Sequence, residues 1–179
     1  MAKLKVPVSP DDHVQGSDNA EVTLVEYGDY ECHDCGLAYS IVKQVQKHFG
    51  TRLRFVFRNF PLTKVHPHAE SAAETAEFAG AHKKFWEMHD LLFEKQDRLG
   101  DAFFSELAGK LELSPAELNQ ALESNKFAAR VRAEFSDGVR SGVNRTPTFF
   151  LNGDRYDGPV EFTDLVSAID KAVATARHP

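Results

Sequence analysis

The sequence predicts an α/β fold in which a block of helices interrupts a sheet. Three observations predict it. β-Branched and aromatic runs at residues 22–27, 53–60 and 147–151 read as short buried strands. Apolar residues at helical spacing fill the roughly 75 residues between the second and third runs. Asn152-Gly153 directly follows the third run and signals a hairpin, with Arg155, Tyr156 and Asp157 on its returning strand.

Residues 1–20 are polar and carry Pro7, Pro10 and Gly16, so they read as an extended lead-in. The strand VTLVEY is broken by Gly28 and Asp29, and CHDC follows at 32–35. Ala38, Ile41, Val42, Val45 and Phe49 then recur at i, i+3, i+4, i+7 and i+11, a helix of about four turns closed by Gly50. The second strand, LRFVFRNF, is stopped by Pro61. A helix begins near Pro67, with Ala69, Ala72, Ala73 and Ala76 on one face and Glu70, Glu74 and Glu77 pointing elsewhere. KKFWEMHDLLFEKQ forms another, and Phe104, Leu107, Ala108 and Leu111 mark the next. Ser114, Pro115 and Glu117 supply an N-cap, an N1 proline and an N3 acid. Ala128, Val131 and Phe135 share one side of a helix over 126–140. The closing helix starts around Gly158-Pro159 and buries Phe162, Leu165, Val166, Ile169 and Val173. With no linker and no repeat, 1–179 reads as a single domain.

Hydrophobic residues make up 42% and charged residues 27%, which excludes a disordered or collagen-like chain. A net charge of −6 without a basic patch argues against nucleic acid and against anionic membrane surfaces. No apolar run is long enough to insert in a bilayer. Lys3 and Lys5 are followed by no apolar stretch, so the chain as given reads as cytoplasmic, or as periplasmic or extracytoplasmic if a leader was removed.

Chemistry concentrates at the two cysteines. A bridge between Cys32 and Cys35 closes almost no loop, so the pair is chemical rather than structural. Cys32 sits where a strand hands over to a helix, whose unpaired N–H groups favour a thiolate nucleophile. Cys35, one turn on, is placed to attack a mixed disulfide at Cys32. Zinc needs four ligands, and no second CxxC or HxxxH is present, so no metal is expected. His66 and His68 flank Pro67 at a helix start and read as solvated or capping. His33 and Asp34 lie between the cysteines and tune them in opposite senses, the imidazolium favouring and the carboxylate disfavouring a thiolate. Glu26, in the middle of an apolar strand, is a candidate proton acceptor for Cys35, with Arg58 as a charge partner; strand alternation also allows Glu26 to face solvent. Locally, Pro147 after Thr146 is only a proline at a strand start.

TLVEYGDYECHDCGLAY, FVFRNFPL, AHKKFWEMHDLLF and SGVNRTPTFFLNGDRYDG together resemble the DsbA-like branch of the thioredoxin superfamily, over about residues 12–175. The resemblance implies a thioredoxin fold whose halves, about 12–62 and 141–176, are separated by an all-helical insertion at about 63–140. It also implies a thiol–disulfide oxidoreductase without a bound cofactor. Cys32 would attack, Cys35 resolve, and Glu26 serve as the buried acid. Pro147 would be the cis-proline, and Thr146 would pair its backbone with a peptide. The partners would be cysteine-containing protein or peptide substrates and a redox partner that recycles the pair, acting on a monomer. The sequence departs from close relatives in carrying His-Asp between its cysteines, where they commonly have proline first. Asp34 thereby implies a less stabilised thiolate and a milder oxidant. Arg145 stands in a loop where relatives often have glycine, as a positive charge near the thiolate or as a solvated residue. The competing function is a thioredoxin-like peptide holdase or metal carrier with regulatory cysteines.

Overall fold

The computed structural model describes residues 2–177, with side chains described through residue 175. Its strands are β1 (His13–Gln15), β2 (Val22–Gly28), β3 (Leu53–Asn59), β4 (Thr148–Leu151) and β5 (Asp154–Tyr156). Its α-helices are α1 (His33–Phe49), α2 (Ala69–Ala81), α3 (Phe85–Glu94), α4 (Asp101–Lys110), α5 (Pro115–Glu123), α6 (Ala128–Arg140) and α7 (Phe162–Arg177). Helices α2–α6 are inserted between β3 and β4, so the predicted α/β class with a helical insertion stands.

The described residues sort into two compact units. The first holds the chain up to Gly28, Leu37–Arg58, and the chain from Asp137 onward. Its sheet runs β1-β3-β2-β4-β5. β2 and β4 pair antiparallel, with Leu24 opposite Leu151 and Glu26 opposite Phe149. Six of the seven β2 residues are buried, as befits a central strand covered on both faces. The last residue of β2 is a glycine because a Cβ at Gly28 would lie 2.4 Å from the Phe57 ring. Asn152 and Gly153 both take positive φ (48° and 87°), the conformation a two-residue hairpin turn between twisted strands demands. Leu165, Ile169 and Val173 of α7 are buried, whereas Phe162 and Val166 are half-buried.

One strand was not expected. β1 lies in the polar lead-in and pairs antiparallel with β3, His13 opposite Phe57. Three half-buried residues carry no readable alternation, so their strand character comes from the sheet edge that they complete.

The second unit comprises Asp29–Gly36 and Asn59–Ser136. Phe104, Leu107, Met88, Leu92 and Leu118 form its core, and Phe60 stacks on Phe135 with centroids 4.3 Å apart. Helix α2 is covered on more than its alanine face: Glu74 and Glu77, which point away from that face, are also buried, at 4% and 3% exposure. Six alanines give α2 a thin profile, so neighbouring helices close over most of its circumference. Ser114 Oγ accepts the Glu117 N–H at 3.2 Å and Pro115 occupies the first turn of α5. Ser114→Ala is expected to cost about 1 kcal/mol, read as a lower midpoint in thermal unfolding.

Candidate active site

Asp29–Gly36 turns the chain into α1 and carries both cysteines. The Cys32 N–H donates to Asp29 O (3.1 Å) and Gly36 N–H to Cys32 O (3.1 Å), so the turn winds directly into the helix. Cys32 is 8% exposed and Cys35 is fully buried; no disulfide joins them. Cys32 is thus the more exposed of the two, and it stands at the positive end of a 17-residue helix. His33 and Asp34 are both exposed, with Asp34 in the first turn.

Sequence reasoning missed three residues that shape this turn. Gln96 Nε2 donates to Tyr30 O at 2.8 Å and to Cys32 O at 2.6 Å, clasping the peptide that bears the outer cysteine. A Cβ at Gly36 would fall 2.4 Å from Gln96 Oε1, so the glycine after Cys35 makes room for this clasp. Asp29, fully buried, accepts from Glu31 N and Leu62 N and pairs with His66 Nδ1, each at 2.8 Å. His68 Nδ1 lies 3.0 Å from Glu31 Oε1. Each imidazole also answers a carboxylate two elements back in the chain, which sequence reading missed; His68 does stand at the N-cap position of α2, with 43% of its side chain exposed. Partial burial works against the charged form of His66, but the Asp29 hydrogen bond and charge, with the charges of Cys32 and Glu31, hold its pKa above the ordinary histidine range.

The sheet unit carries the remaining predicted residues. Glu26 is 2% exposed, so the solvent-facing alternative fails: β2 is buried on both sides. Its Oε1 lies toward Gly28, two residues along the same face. Arg58 does not serve Glu26. Its guanidinium donates to Asp12 (2.7 and 3.0 Å), to the carbonyls of Val6 and Pro7, and to the Tyr27 hydroxyl. The Thr146–Pro147 peptide bond is cis, and Thr146 is buried. Thr148 Oγ1 donates to Arg145 O at 2.8 Å, which fixes the loop just before β4, and Arg145 itself is exposed.

A family model described as Thioredoxin matches residues 8–171. The chain belongs to the thioredoxin family. Among solved structures, this thioredoxin-family chain is similar to oxidised BdbD from Bacillus subtilis, with 27% identity and a TM-score of 0.83 over 90% of this chain and 92% of that one. It shares its fold with Wolbachia pipientis alpha-DsbA1, at 19% identity and a TM-score of 0.83 over 97% and 96% of the two chains. Both likenesses are of fold, a thioredoxin-like sheet with an inserted helical region. Curated relatives include the Na(+)/H(+) antiporter NhaA 3 of Salinispora tropica, 43% identical over 97% of this chain and 27% of the antiporter. The Na(+)/H(+) antiporter NhaA 1 of Mycobacterium sp. strain KMS is 40% identical over 92% of this chain and 27% of its own length. The chain thus spans about a quarter of the length of the curated relatives it matches. Among the described residues no helix is long and apolar enough to cross a membrane.

Proposed function

We propose that this thioredoxin-family chain exchanges disulfides with cysteine-containing proteins or peptides through Cys32 and Cys35. One observation carries the reading: in a CxxC pair at a helix N-terminus, the outer cysteine keeps some exposure (8%) and the inner one keeps none. In the reducing direction the Cys32 thiolate attacks a substrate disulfide, forming a mixed disulfide and releasing one substrate thiolate. Cys35 gives up its proton and attacks Cys32 Sγ; the Cys32–Cys35 bond forms as the second substrate thiolate leaves. Two electrons pass to the substrate, and the reverse sequence oxidises a dithiol. Resemblance to the DsbA-like branch supplies the other roles: Glu26 takes the Cys35 proton, Thr146 and Pro147 present backbone to the substrate, and His33 and Asp34 tune the pair. The same resemblance supports one domain acting as a monomer, recycled by a redox partner.

Cys32→Ser is expected to abolish turnover of a disulfide-bonded test protein, and Cys35→Ser to accumulate the mixed disulfide, read by mass spectrometry. Retained binding with no exchange in the wild type would instead mark a holdase. Equilibration with glutathione buffers gives the direction: about −120 to −180 mV for a disulfide donor, about −270 mV for a reductase.

A further inference from the structure

Asp29 and His66 form a charged couple at the foot of the redox turn. The Asp29 carbonyl accepts the Cys32 N–H, and its carboxylate is engaged by three N–H donors, two of them from the Leu62–His66 segment. That segment is itself a tight turn, with the N–H groups of Val65 and His66 both on Leu62 O. Because its acceptor is a carboxylate, His66 Nδ1 carries a proton, and partial exposure (23%) leaves room for hydration of a second one at Nε2. The charged groups around His66 are Asp29, Glu31 and Cys32; His68 in turn answers Glu31. Asp34 and His33 stand in the open first turn of α1.

We propose that His66, held by Asp29, is the cation that stabilises the Cys32 thiolate, so that a residue outside the CxxC segment sets the redox poise. The inference rests on the exchange reading of the cysteine pair. Asp29 holds the Nδ1 proton in place, which leaves the second proton, at Nε2, as the one that responds to the charge on Cys32. Reduction of the disulfide creates a thiolate whose charge favours the imidazolium and draws a proton onto the imidazole; oxidation releases it. Thermodynamic reciprocity then requires that whatever factor His66 contributes to thiolate formation, the thiolate returns to imidazole protonation.

The test is made on the full chain in both redox states. In His66→Gln the Cys32 pKa, followed by thiolate absorbance, should rise by about one unit, and the equilibrium with glutathione should move about tenfold toward disulfide, or about 30 mV. Should that variant not fold, the wild type suffices: by NMR, His66 should titrate about one unit higher in the dithiol than in the disulfide form, and Cys32→Ser should match the disulfide form. A His66 midpoint that is the same in both redox states, or a folded His66→Gln with unchanged Cys32 pKa and potential, overturns the assignment. Those outcomes leave disulfide exchange standing. Failure of the wild type to form any Cys32–Cys35 disulfide would remove the exchange reading instead.

Discussion

Replacing Arg58 by methionine is expected to lower folding stability by about 3–5 kcal/mol, the cost of leaving one charge of a buried pair without its partner. Arg58 is 3% exposed and Asp12 8%, and the guanidinium ties together β3, the Tyr27 hydroxyl of β2 and the lead-in carbonyls of Val6 and Pro7. Burial alone would weaken the Arg58 cation; the Asp12 carboxylate and Tyr27 more than reverse that, and its pKa rises. Methionine fills much of the same volume, so the loss reports the interactions rather than a cavity. Urea unfolding should show a lower midpoint with an unchanged slope, and the thermal midpoint should fall by about 10 °C. The variant's Asp12, now a buried acid without its cation, should prefer its neutral form, so the deficit should narrow toward pH 4–5. Arg58→Met combined with Asp12→Asn should lose at least about 1 kcal/mol less than the two single losses summed. Additive losses would mean that the lead-in is held by the carbonyl contacts and not by the ion pair.

The same residue shows where sequence reading stops. Arg58 lies at the end of an apolar strand, so a buried charge partner was foreseeable, and Glu26 was the carboxylate within the nearest strand. The partner is Asp12, 46 residues away in a segment whose polarity advertised nothing. Cys32 and Cys35 were legible because their chemistry depends on spacing and a strand-to-helix switch, both local. The N-cap at Ser114 and the Asn152-Gly153 turn were legible for the same reason. Asp29–His66 was not, since 37 residues separate a turn aspartate from a histidine that looks like a helix-start residue. Gln96 stands farther still, 64 residues from the carbonyl it holds. Periodicity reports which face of an element is buried against a single neighbour. It fails for β2 and α2, where neighbours cover nearly every side, and Glu26, Glu74 and Glu77 went inside with the apolar residues.

Glu77 belongs to a buried acid pair whose consequence is a stability that falls as pH rises. Glu134 Oε2 accepts from Asn59 N (2.7 Å) and Asn59 Nδ2 (2.9 Å); Glu77 Oε1 shares the same Asn59 amide at 2.9 Å. Arg130 lies against both, at 2.5 Å from Glu77 and 3.5 Å from Glu134, and a single cation cannot neutralise two carboxylates. Burial first, and then the charge of Glu77, push Glu134 up to about 8. A carboxyl whose folded value lies above its unfolded value binds more protons in the native state. The stability it contributes is complete below about pH 4.5 and is lost progressively as pH rises toward 8, beyond which the loss levels off. Glu134→Gln keeps an oxygen for Asn59 and removes the titration. It should match the wild type within about 1 kcal/mol at pH 5 and exceed it by about 1–3 kcal/mol at pH 8, measured by urea unfolding of the reduced protein. Glu77→Gln should flatten the wild-type pH profile, because it removes the repulsion that raises Glu134 while leaving Arg130 to pair with it. Arg130→Met should steepen it. A wild-type stability that is flat between pH 5 and 8 would mean that both acids are ionised in the native state, with water or Arg130 supplying what burial takes away.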